Sequence, residues 1–144
     1  MSDEAQPAPG RPIVFETRHR VRFREIDRYG HMNMVNYLAY FADHRFEGMR
    51  TYMGLGTREL EDLPIAFHTR SVELDYRRSL FADQEFVIRS HIAELKRSQC
   101  YVDLTMSDAD DQVVATCRMR IGCIDKGAQK PCGWPPGLME RFYE

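Results

Sequence analysis

Phe23-Arg24-Glu25-Ile26-Asp27-Arg28-Tyr29-Gly30-His31-Met32-Asn33-Met34-Val35-Asn36-Tyr37 is the stretch on which the fold turns, because the hydrophobic period changes within it. Upstream, Phe15, Thr17, His19, Val21 and Phe23 alternate with Glu16, Arg18, Arg20, Arg22 and Arg24, the period of a strand with one face on a core. Asp27 shares the parity of Phe23, which aims it towards the buried side. Downstream, Val35, Leu38, Ala39, Ala42, Phe46, Met49 and Met53 recur at helical spacing. The pattern predicts a helix from Met34 to Met53 resting on that stripe, with Asn33 as N-cap and Gly54 and Gly56 as the stop. Such a helix is about 30 Å long. A carboxylate thus precedes a helix start whose free N–H groups suit a developing oxyanion.

Working outward, Thr57 to Asp62 reads as a short further turn before Pro64. Four alternating segments follow, marked by Val72, Leu74 and Tyr76; by Phe86, Ile88 and Ile92; by Cys100, Val102, Leu104 and Met106; and by Val113 through Cys123. Short turn-rich links join them, so antiparallel neighbours are expected. The order of strand, long helix and four strands predicts an α+β fold, a five-stranded antiparallel sheet wrapped around one long central helix. Leu138, Met139 and Phe142 predict a short packed helix at the end.

A length of 144 residues suits one domain, expected over 13–144, after a tail at 1–12 whose prolines and glycine predict mobility. A net charge of -2 provides no global basic field for nucleic acid. No apolar run approaches a membrane span, and the first residues lack the basic and apolar regions of a signal peptide. A cytoplasmic protein is expected. Cys100, Cys117, Cys123 and Cys132 have no zinc-like spacing and read as reduced residues, the first three on apolar strand faces.

Asp27 has two readings, a turn or cap residue or a catalytic carboxylate. His31, Asn33 and Asn36 crowd the same loop and favour the second. His31 itself reads equally as a loop or a catalytic residue. The histidines match no metal motif, and no nucleophile elbow, P-loop or dinucleotide fingerprint occurs. Arg77-Arg78 and Lys96-Arg97-Ser98 read singly as solvated charge; together at one rim they would suit a phosphate-bearing ligand.

With these residues identified, the chain is similar to hotdog-fold acyl-CoA thioesterases of the 4-hydroxybenzoyl-CoA thioesterase-like family. The similarity runs from about residue 17 to 126. It is carried by Val21 to Asn33, by Asn36-Tyr37-Leu38 and Tyr40-Phe41, and more weakly by Val72 to Tyr76 and Val114-Ala115-Thr116. The resemblance implies acyl-CoA hydrolysis with Asp27 as base or nucleophile, and the Met34 backbone N–H polarising the carbonyl. It implies that Tyr29, Gly30 and His31 shape the loop beside Asn36 and Tyr37. It also implies subunits paired edge to edge, as a homodimer or a dimer-of-dimers tetramer, with the site at the interface and no cofactor beyond the coenzyme A of the substrate. Met34 stands where many relatives have a second Asn, which leaves that position a backbone role. A non-catalytic acyl-thioester or aromatic-ligand binding module, or an acyl-thioester hydratase or dehydratase, are the alternatives on the same fold.

Overall fold

The computed structural model describes residues 3–144. Its elements are β1 (Phe15–Arg20), α1 (Met34–Met53), α2 (Thr57–Asp62), β2 (Ile65–Tyr76), β3 (Glu85–Leu95), β4 (Gln99–Asp108), β5 (Val113–Asp125) and β6 (Lys130–Pro131). All neighbours are antiparallel, in the order β1-β3-β4-β5-β2, and β1 and β2 form the edges. The two-residue β6 joins β5 and extends the sheet beyond five strands. Phe86, Ile88, Leu104, Met106, Val114, Met119 and Ile121 are buried beneath Phe41 of α1. This is the hotdog architecture of a sheet curled around a helix.

The bounds of α1 follow local chemistry. Asn33 Oδ1 accepts the N–H of Val35 at 3.1 Å, and the helix ends at Gly54. Its buried face keeps Met49 and Met53 of the expected stripe but is otherwise rotated away from it. Tyr37, Phe41, His44, Gly48, Met49 and Met53 face the core, whereas Val35 is 67% and Phe46 59% exposed. Two contacts set this rotation. His44 is fully buried, and both ring nitrogens find hydroxyls: Nδ1 with Thr17 Oγ1 at 2.6 Å and Nε2 with Ser90 Oγ at 2.6 Å. Thr17 Oγ1 also meets His19 Nε2 at 2.7 Å, so a polar chain crosses from β1 through α1 to β3. Gly48 lets the Phe15 ring lie directly on the helix backbone, where a Cβ would collide with it.

One further expectation is corrected. The first strand stops at Arg20, because Glu25 folds back to accept the Arg22 N–H at 2.8 Å and the Tyr40 hydroxyl at 2.6 Å. The resulting 3-10 turn, Phe23–Glu25, leaves Phe23 88% exposed and breaks the parity argument for Asp27. Near the start of the chain, Gln6 N–H donates to Leu95 O at 2.8 Å, Arg97 N–H to Glu4 O at 3.2 Å, and Ala5 bridges Lys96. Residues 1–2 of the tail expected at 1–12 lie outside the described residues. The short packed helix expected at the end of the chain is a single 3-10 turn, Met139–Phe142, with Met139 and Phe142 buried.

Burial pushes the His44 imidazole down to about 4, with smaller contributions from the nearby His19 and Arg45. The unfolded chain takes up this proton near the ordinary imidazole value of about 6.5, and the folded chain resists until about 4. The neutral-form advantage is therefore complete above the upper value and lost as pH falls through the window, by about 3 kcal/mol in all. Urea titrations across that window are expected to show stability falling with pH, and His44→Gln to be less stable at neutral pH with a shallower dependence. An unchanged slope in the variant would remove His44 from this account.

Candidate active site

The loop before α1 is closed by its own backbone. Asp27 N–H donates to His31 O at 3.0 Å, Gly30 N–H to Asp27 O at 3.1 Å, and Ile26 bridges Met32. Gly30 sits at φ 89°, a conformation costly for residues with a Cβ. Within this loop Asp27 Oδ1 accepts the Tyr29 N–H at 2.8 Å, so Asp27 is indeed a turn residue. Its other oxygen, Oδ2, lies 3.7 Å from His31 Nδ1.

The helix start is fixed from below. Asn33 N–H donates to Glu25 O at 2.8 Å and the Asn36 amide reaches the same carbonyl at 3.3 Å. Met32 N–H donates to Leu80 O at 2.7 Å. With Val35 N–H held by the Asn33 side chain and Asn36 N–H by the Asn33 carbonyl at 3.0 Å, the N–H of Met34 is left without an acceptor among the described residues. It is the free donor at the N-terminal end of a 20-residue helix, where the peptide dipoles favour negative charge.

Asp27, His31, Met32, Met34, Tyr37, Tyr76, Arg77, Arg78 and Ser79 line one open cleft of about 360 Å³. The Tyr76 hydroxyl donates to Met34 O at 3.2 Å, and the N–H groups of Arg77 and Arg78 converge on Val114 O at 2.8 and 3.1 Å. Arg77 Nε meets Asp75 Oδ2 at 2.9 Å. The tighter void of about 30 Å³ beneath the far half of α1, lined by Phe15, Met49 and Phe142, is apolar and has none of these groups.

Of the residues singled out in the sequence, the cleft brings together Asp27, His31, Met34, Tyr37, Arg77 and Arg78 and leaves the others elsewhere. Asn33 and Asn36 are occupied in holding backbone and do not face the cleft. Tyr29 is exposed on the outer side of the loop, stacked on His31 and under Arg28. Lys96, Arg97 and Ser98 lie at the other end of the sheet, in the β3–β4 turn, so they share no rim with Arg77 and Arg78 in one chain. There Ser98 donates its N–H and hydroxyl to Asp3 Oδ1 at 2.7 and 3.0 Å. The pairing of Leu95 with Cys100 at that end, and of Phe86 with Asp108 at the other, sets the separation. Tyr76 and Ser79 were missed; the only sequence signal was their position around Arg77-Arg78 at a strand end.

The model of the thioesterase-like superfamily matches residues 21–142, and the chain belongs to that family. It is 25% identical over 130 residues to the long-chain acyl-CoA thioesterase FadM of Escherichia coli, covering 90% of this chain and 97% of that protein. It is 22% identical over 124 residues to the acyl-CoA thioesterase YbgC of Haemophilus influenzae, covering 86% and 90%. Among solved structures, a hypothetical protein of Staphylococcus aureus in complex with CoA superposes with a TM-score of 0.81 at 18% identity, over 93% of this chain and 88% of that one.

Tyr37 ties the first turn of α1 to the arginine loop: its hydroxyl donates to Arg78 O at 3.4 Å and accepts the N–H of buried Leu80 at 3.2 Å. Burial raises the phenol above its ordinary value, so it stays a hydroxyl. Tyr37→Phe strands the Leu80 donor and is expected to cost about 1–2 kcal/mol in denaturant unfolding; a cost within error of zero would mean the loop repacks.

Proposed function

We propose that the protein hydrolyses an acyl-CoA thioester to the free acid and coenzyme A. One observation carries the reading: Asp27 and Met34, whose N–H is unpaired among the described residues, line the same cleft as Arg77 and Arg78. Asp27 acts on the thioester carbonyl, as base for a water or by direct attack. The helix start stabilises the oxyanion, and the arginines face the phosphates of the carrier. The resemblance to FadM and YbgC supports the acyl-CoA substrate.

Across a panel of short, long and aromatic acyl-CoAs, Asp27→Asn is expected to lower kcat by about a hundred- to ten-thousand-fold. Arg77→Ala with Arg78→Ala should raise KM with little change in kcat. Equal turnover by wild type and Asp27→Asn would refute the assignment, and tight binding of acyl-CoA without release of a free thiol would identify a binding module.

The same reading has two copies of the chain joined along β2. It is supported by the free outer edge of that strand and by the exposed apolar stripe of α1. Sedimentation is expected to give an even multiple of the 16.9 kDa chain, and Phe46→Glu to shift it towards the monomer mass. A monomeric wild type would overturn it.

A further inference from the structure

β4 ends at Gln99, opposite Gly122, and beyond that point β6 takes its place beside β5, with Pro131 opposite Ile124 and Lys130 opposite Asp125. One rung further, Cys132 N–H donates to Cys123 O at 3.0 Å, and the two thiols lie with Sγ and Sγ 3.6 Å apart. Cross-strand neighbours have the Cα separation a disulfide needs, so only a small side-chain rotation separates this contact from a bond. The turn between them is rigid. Gln129, at φ 56°, donates its N–H to Asp125 O at 2.8 Å, and Asp125 Oδ1 accepts the Ala128 N–H at 2.9 Å. Cys123 is fully buried and Cys132 only partly, so a reagent from solution reaches Cys132 first.

We propose that Cys123 and Cys132 are a reversible disulfide pair that fastens the C-terminal segment to the sheet under oxidising conditions. The Cys132 sulfur attacks a hydroperoxide, breaking its O–O bond, and becomes a sulfenic acid as an alcohol or water departs. The Cys123 sulfur then attacks the Cys132 sulfur, the S–S bond forms, and the sulfenic oxygen leaves as water carrying the Cys123 proton. In total two thiols surrender two electrons to one hydroperoxide. A dithiol reverses the bond. The clamp acts on a segment that matters to the fold: Trp134 Nε1 donates to Lys96 O at 3.0 Å, and Leu138, Met139, Phe142 and Tyr143 are buried. Cys123 lies nine residues along β5 from Val114, which accepts the Arg77 and Arg78 N–H groups, a path of roughly 30 Å along the strand, and neither cysteine lines the Asp27 cleft, so the pair is independent of the proposed hydrolysis.

The test treats the full chain with hydrogen peroxide, alkylates it under denaturing conditions and maps peptides by mass. The expected result is a loss of two hydrogens from the intact mass and a Cys123–Cys132 linked peptide. A dithiol should reverse both, and Tm should rise by several degrees, with acyl-CoA turnover unchanged. Cys132→Ser should abolish the mass loss and the Tm rise while leaving the untreated protein folded. A bond between two chains, a Cys100–Cys123 link, addition of oxygen to Cys132 without a link, or no change in mass would each overturn the proposal.

Discussion

A histidine at the centre of the buried face of α1 decides how the helix can sit. His44 is sealed from water, and an imidazole there must bond both nitrogens or bear a desolvation cost of about 1–3 kcal/mol for each group left open. Thr17 on β1 and Ser90 on β3 are the hydroxyls that meet it, and β1 and β3 are neighbours in the sheet. The helix is therefore keyed to one rotation and one position along the sheet. Gly48, one turn on, accepts Phe15 against the bare backbone and fixes the depth. Rotating α1 to bury Val35 and Phe46 instead would uncover Tyr37 and Phe41 and take His44 away from Thr17 and Ser90.

That choice has a visible consequence at the surface. The second apolar stripe of α1 remains uncovered, and β2 at the sheet edge is exposed along most of its length. A chain that stayed alone would leave this stripe and the open β2 hydrogen-bonding groups in water. Covering both at once by one symmetric contact removes the two liabilities, which is the physical case for pairing along β2.

The parts of the fold legible in the sequence were those set by neighbours in the chain. Asn33 and Gly54 bound α1 through bonds spanning a few residues, and the period of two in β3, β4 and β5 survives because each strand has one face on the core. The buried stripe of α1 was misread because its arbiters, Thr17 and Ser90, stand 27 and 46 residues from His44. The early end of β1 depends on the Glu25 side chain turning back to the Arg22 N–H, which leaves no mark in hydropathy.

At the candidate site the turn role of Asp27 leaves room for the proposed catalytic one. One carboxylate oxygen is bound within the turn, which removes the rotational freedom of the side chain, and the other is left towards His31 and the cleft. The cap residue Asn33 does something parallel for the helix: by taking the Val35 N–H it leaves the Met34 N–H as the outward donor. Acid and donor are seven residues apart in the chain, and the Glu25 carbonyl anchors the helix end of that span through two bonds to Asn33 and Asn36. The Met32 to Leu80 bond anchors its middle. Turn and cap chemistry thus work as the scaffold that holds a carboxylate and an N–H at a fixed separation. Such preorganisation stabilises charge without reorganisation at the moment of reaction. A loop lengthened or shortened by one residue between Asp27 and Asn33 would keep both groups and lose their relation.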